Sequence, residues 1–195
     1  IAYHSAGITN AVAPMGTALT VEQLRLISSF VDTLILSLDT DEAGQKATFK
    51  DILMGRQIGL SVKVISLDGG KDPDEILQKF GKEKLTNCVN RAILDSDFLL
   101  SSLSKKYGLT TPEGKTNIAL EFFKYIDVLQ SDIQKESSLE QLANTLQVSL
   151  ETVKSDYVNR ESATKKLENR TTTEKKTAQI TLNAELRAVL AVVSN

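Results

Sequence analysis

Tryptophan is absent from the 195 residues, and cysteine and histidine occur once each. A single Cys88 excludes an internal disulfide and fits a reducing compartment. Together with His4 it also leaves too few ligands for a structural zinc site within the chain. No apolar run approaches the ~20 residues needed to span a bilayer, and no secretory signal is evident, so a cytoplasmic location without a membrane partner is expected. Neither sign of charge dominates: 23 basic residues face 25 acidic ones, net -2, with a sequence pI of about 5.6. That balance argues against a self-contained DNA-binding module, which would advertise itself as a basic footprint. It leaves room for a phosphoryl-transfer site, whose metal ions need carboxylates. Aromatic residues reach only 5% against 41% hydrophobic overall. Leu, Ile, Val and Ala therefore carry the core, which favours helices and parallel strands over an aromatic-rich sandwich.

Three short apolar runs read as buried strands: Asn10–Pro14, Thr33–Asp39 and Ser61–Leu67. The near-continuous Leu, Ile and Val of the second predict a strand buried on both faces. Between the runs the period turns helical. Thr20-Val-Glu-Gln23 is a capping box, followed by Leu24, Ile27 and Val31 at near-helical spacing. A second helix is expected from Asp41 to about Met54, with Gly59 closing the segment. This alternation is the βαβ signature of a parallel sheet. From Asp95 the strand signal stops. Phe98, Leu99 and Leu103 begin one helix, and Thr111-Pro112 reads as an N-cap with proline at the first helical position. Ile118, Phe122, Tyr125, Ile126 and Leu129 then form an amphipathic stripe. Ser138-Leu-Glu-Gln141 predicts a further capping box, and Ser149 caps a last helix through Val153 and Tyr157. The fold class is thus α/β, a partial parallel sheet with helices, followed by an all-α helical bundle. The expected divisions are 1–94 for the α/β part, 95–160 for the bundle, 161–179 for a polar linker too poor in apolar residues to pack, and 180–195 for the start of a further helical domain. The chain begins at Ile1 without an initiator methionine and stops after an apolar run, so both ends are expected to be cuts within a longer protein.

The most informative stretch is Leu38-Asp39-Thr40-Asp41-Glu42-Ala43-Gly44, where an apolar strand gives way to a helix. In open α/β sheets ligands gather at the carboxyl ends of strands, and two carboxylates one residue apart there can face one hydrated cation. Alone, D-x-D reads first as a polar turn and helix cap. One strand later, however, Leu67-Asp68-Gly69-Gly70-Lys71-Asp72-Pro73-Asp74-Glu75 brings a second acidic pair, Asp72 and Asp74, to the same edge. Two such pairs suit a two-metal site, and clustered carboxylates repel one another unless a cation neutralises them. The competing reading of the second pair is an N-cap with first-turn acids favoured by the helix dipole.

The ordered set G-I-T-N-A-V-A-P-M-G-T over Gly7–Thr17, D-T-D-E-A-G over Asp39–Gly44 and K-D-P-D-E over Lys71–Glu75 resembles the Toprim metal-binding domain of bacterial replicative primases. The resemblance covers the chain through about Asp95 and continues more weakly to about Arg160. It implies that Asp39 and Asp41 are catalytic metal ligands, Asp39 shared between ions, and that Asp72 and Asp74 help hold a second ion. It implies Mg²⁺ or Mn²⁺ as cofactor, with zinc expected only in a domain outside this chain. The implied partners are a single-stranded DNA template, ribonucleoside triphosphates, and the replicative helicase through the domain that begins near residue 180. The implied reaction is attack of a ribonucleotide 3'-hydroxyl on an incoming triphosphate. The family's Glu-Gly motif would fall upstream of Ile1, so the chain alone is expected to be inactive.

Two rivals remain. One is another Toprim enzyme, a topoisomerase or a recombination nuclease, against which the G-T segment and the bundle speak. The other is a non-enzymatic helix-turn-helix binder built on Leu139–Lys154. There the second helix would open with Glu151 and Thr152, and a carboxylate repels phosphates. His4 is read as a surface or packing residue, Cys88 as packing on an apolar face, and Asp68 as a turn residue. Lys46, Lys50 and Arg56 are read as a solvated helix face.

Overall fold

The computed structural model describes residues 1–14, 19–37 and 42–160. By internal packing the chain divides into two units, Ile1–Leu150 and Glu151–Asn195. The first unit grows from a three-stranded sheet in the order β1-β2-β3. Strands β1 (Thr33–Leu36) and β2 (Ser61–Val64) pair in parallel, Thr33 opposite Ser61 and Leu36 opposite Val64. The crossover between them is helix α3 (Glu42–Ile58), as the sequence alternation predicts. Gly59, at φ +95, ends that helix in a conformation costly for a side-chain-bearing residue.

Three features differ from expectation. Asn10–Pro14 is no strand: Val12 is 80% exposed, with no sheet neighbour among the described residues. A short apolar run does not by itself distinguish a strand from a segment lying on the surface. Strand β1 is not buried on both faces, since Ile35 is 39% exposed while Leu36 is buried; the alternation is that of a sheet covered on one side. The sheet is also mixed. A two-residue β3 (Ile93–Leu94) joins β2 antiparallel, Val64 opposite Ile93.

Short α1 (Ala2–Ser5) and α2 (Val21–Ser28) precede β1, and Thr20 and Gln23 close the expected capping box on α2. Helix α4 (Pro73–Asn90) follows β2. Ala2, Ile65, Leu67, Ile76, Leu85 and Cys88 bury one another beneath α1 and α4, so Cys88 packs as anticipated.

Helices α5 (Asp95–Tyr107), α6 (Pro112–Val128) and α7 (Asp132–Leu146) form the bundle. The Thr111 hydroxyl accepts from the Gly114 amide at 3.1 Å, so the cap read from Thr-Pro is present. Ile118, Phe122, Tyr125, Ile126 and Leu129 are all buried, and the Phe122 and Tyr125 rings lie 5.3 Å apart. Helix α7 starts earlier than the S-L-E-Q pattern suggests, and Ser138 is a buried residue in its interior. The preceding D-I-Q-K-E-S contains good helix formers with an acid in the first turn, so the helix runs through a pattern that elsewhere starts one. Helix α8 (Leu150–Val158) carries Glu151 in its first turn, and Arg160 stacks over the Tyr157 ring at 4.3 Å. Residues 161–179 and 180–195, the expected linker and further domain, lie outside the described residues. No described helix is long and apolar enough to cross a membrane.

Candidate metal centre

Because β1 and β2 run parallel, their carboxyl ends leave the sheet at one edge. At the first exit, Ser37 shares a 2.5 Å hydrogen bond with the hydroxyl of Tyr3. This ties α1 to the residue just before Leu38, and burial raises the pKa of the Tyr3 phenol. His4, exposed, donates from Nε2 to the Ala11 carbonyl at 2.7 Å, a surface role as read from sequence. Asp39 and Asp41 lie outside the described residues. Beyond them, the Thr48 hydroxyl donates to the Gly44 carbonyl at 2.7 Å inside α3.

The second exit is described in full. Asp72 is the N-cap of α4: its Oδ1 accepts from the Glu75 amide at 2.8 Å, with Pro73 in the first helical turn. Glu75 in turn accepts from the Lys71 amide at 2.6 Å and pairs with Lys79. The backbone hydrogen bond from Lys71, and then Lys79, hold its carboxyl below the usual range. Asp74 accepts from Gln78 at 2.6 Å through Oδ2. The competing reading of the pair is therefore realised: Asp72 is the N-cap, and Asp74 and Glu75 are first-turn acids. The other oxygen of Asp72, and Oδ1 of Asp74, have no protein partner among the described residues. Asp68, expected to be a plain turn residue, pairs with Lys84 at 3.0 Å.

Among the described residues no three His, Cys, Asp or Glu side chains converge on one point. Asp72 and Asp74 thus offer oxygen donors of the type Mg²⁺ prefers, and Mg²⁺ commonly takes only one or two protein carboxylates. The donor chemistry fits a divalent cation, with two carboxylates in the described part.

Of the three cations read as a solvated face, Lys46 and Lys50 are exposed. Arg56 is not. Its guanidinium grips Asp95 with Nε to Oδ2 at 2.5 Å and Nη2 to Oδ1 at 2.7 Å. Their side chains are 13% and 1% exposed. The Tyr125 hydroxyl and the Ser96 amide also donate to Asp95 Oδ1, at 3.1 and 3.0 Å. This buried network joins α3, α5 and α6. No local signal marks it: the ion pair spans 39 residues, and Asp95 in sequence looks like any acid opening a helix.

The family described as Toprim-like matches residues 1–77, and the DnaB-helicase binding domain of primase matches residues 96–151. The DNA primase of Treponema pallidum (strain Nichols) is 33% identical over 205 residues, covering 100% of this chain and 34% of that protein. The chain thus spans about a third of that curated relative's length. Among solved structures, the Aquifex aeolicus primase (zinc-binding and RNA polymerase domains) is similar with a TM-score of 0.61 and 30% identity, over 77% of this chain and 35% of that one. A DnaG primase catalytic domain bound to ssDNA is similar with a TM-score of 0.65 and 27% identity, over 75% of this chain and 47% of that one.

Proposed function

Because the chain belongs to the bacterial DNA primase family, we propose that it is part of the apparatus that lays short RNA primers on single-stranded DNA in the replicating cytoplasm. The observation that carries the reading is the capped loop from Asp68 to Glu75, which presents Asp72 and Asp74 at the carboxyl edge of β2. That edge is shared with β1, whose sequence continues into Asp39 and Asp41.

In this reading Asp39 and Asp41 hold the first ion, Asp39 being shared, and Asp72 and Asp74 help hold the second. When bound, Mg²⁺ or Mn²⁺ supplies charge that favours the 3'-alkoxide and neutralises the transferring phosphoryl group. The protein's part is positioning. The N-cap fixes the backbone on which Asp72 stands, and the Lys71–Glu75 hydrogen bond keeps the turn from opening. Template and ribonucleoside triphosphates are the substrates, and zinc belongs to a domain outside this chain. The helicase contact was expected near residue 180, but the helicase-binding description falls on 96–151. We therefore assign part of that contact to α5–α7, and co-migration of the chain with the replicative helicase tests it.

The division into a metal-binding part through residue 94, a bundle to 160 and a linker to 179 belongs to the same proposal. Its direct test is Asp39→Asn and Asp41→Asn in the protein extended upstream. Each is expected to cut primer yield at least ~100-fold, as loss of an essential electrostatic group does, while thermal unfolding stays cooperative. Wild-type yield from either variant removes that residue from the site.

A further inference from the structure

Helix α4 is two helices in one span: at Gly81 the backbone leaves the helix with φ 80 and ψ -179. A Cβ built on Gly81 would meet nothing within 4 Å, so the glycine is needed for its backbone conformation and not for space. The break follows directly after Phe80, a large apolar side chain that is 51% exposed. The covered part of its ring lies against Gly69, where a built Cβ would stand 3.0 Å from Cε2 and 3.2 Å from Cζ. Gly69 has φ +99.

From there the contacts run along the acidic loop residue by residue. Asp68 pairs with Lys84, beyond the break. Gly69 lies under Phe80, and Gly70 against Ile76, whose Cγ1 would be 2.8 Å from an added Cβ. The Lys71 amide donates to Glu75, and Asp72 accepts from the Glu75 amide. Each residue from 68 to 72 is thus held by a residue of α4, and the contact at Gly69, the first of the paired glycines, is an aromatic ring.

We infer that Phe80, set in place by the break at Gly81, is a positioning residue that holds the Asp68–Glu75 loop in the shape from which Asp72 and Asp74 reach metal. The inference rests on the function proposed above. Two adjacent glycines give this loop more backbone freedom than any other pair of residues would, and carboxylates that must converge repel one another. A supporting group that removes the freedom therefore acts on metal affinity, as residues behind metal ligands do.

The experiment uses the full-length protein carrying Phe80→Ala, Phe80→Leu, Phe80→Tyr or Gly81→Ala. Mn²⁺ binding is measured directly by electron paramagnetic resonance, alongside the metal dependence of primer synthesis and thermal unfolding. Phe80→Ala and Gly81→Ala are expected to weaken Mn²⁺ binding roughly 10-fold with cooperative unfolding retained. Leucine, which fills the same space without an aromatic face, should restore most of the affinity. A wild-type Mn²⁺ isotherm for Phe80→Ala overturns the inference. So does recovery by tyrosine alone with unchanged Mn²⁺ binding and an altered KM for nucleotide, which would make the ring a stacking surface for a base. Asp74→Asn, run in parallel, separates the two levels. If Asp74→Asn weakens Mn²⁺ binding and Phe80→Ala does not, the positioning inference alone fails; if Asp74→Asn leaves Mn²⁺ binding unchanged, the metal reading of this loop fails.

Discussion

Asp95 is fully buried and holds Arg56, Tyr125 and the Ser96 amide at once. The hydrogen bonds that Arg56 donates to Asp95 raise the pKa of Arg56, and burial followed by the Asp95 charge raises that of Tyr125. Such a pair stabilises little against an apolar replacement, yet breaking it strands a charge. Asp95→Asn or Arg56→Met alone should therefore cost ~3–5 kcal/mol in urea unfolding, and the double variant Arg56→Met/Asp95→Leu less than either. Additive losses would show that the network is not the unit described. Asp51, 5% exposed on α3, behaves differently. Burial raises its pKa, with the Lys50 charge opposing. A carboxyl whose folded pKa lies above its unfolded one stabilises the fold below the unfolded value, near pH ~4, and loses that contribution as pH rises through the folded value. Asp51→Asn should accordingly raise the urea midpoint at neutral pH, with the advantage vanishing in acid. A lower midpoint at neutral pH would mean that the ionised carboxylate has a partner worth more than its burial costs.

Element boundaries show which signals travel in sequence. Helix α6 was legible because Thr111, Pro112 and a five-residue apolar stripe agree with one another, and each is realised. Helix α7 begins before its apparent start signal because a capping-box pattern can occur inside a helix, and only the packing of Ser138 decides. Strand β3 could not be read at all: two residues carry no period, and they pair only because β2 offers an edge. The junction of α5 and α6 depends on a contact that no pattern announces. A Cβ on Gly114 would fall 2.5 Å from the Gly108 carbonyl oxygen and 2.6 Å from that of Tyr107. Backbone atoms have little freedom to yield, so Gly114→Ala should destabilise by about 1–3 kcal/mol through overpacking, despite alanine's better helix propensity. At the end of α7 the sign reverses. Gln147 is left-handed at φ 54 and ψ 50, and Gln147→Gly should gain about 1 kcal/mol. Thermal denaturation of the two variants tests both signs.

For the molecule as a whole, the loop geometry around Asp72 and Asp74 is the part of the candidate site that sequence made legible, because an N-cap followed by proline is local in sequence, whereas Asp39 and Asp41 lie outside the described residues. The Arg56–Asp95 link was illegible, because it depends on how distant helices meet. The described residues include two of the four carboxylates proposed to hold metal, Asp72 and Asp74, and the chain spans 34% of the Treponema relative. On the proposed function, residues 1–195 expressed alone are expected to bind Mn²⁺ weakly and to make no primers on single-stranded template, where the full-length protein does. Equal synthesis by both would overturn the proposal that part of the site lies outside residues 1–195. The sheet carries one more consequence. Among the described residues β1 pairs only with β2, so no described strand covers its outer backbone edge, and Phe30, Val31 and Ile35 lie exposed around it. An open strand bordered by apolar side chains is a template for another strand. In concentrated solution the chain should stick to itself edge to edge, and a lysine at Ile35 would be the simplest way to keep it monodisperse.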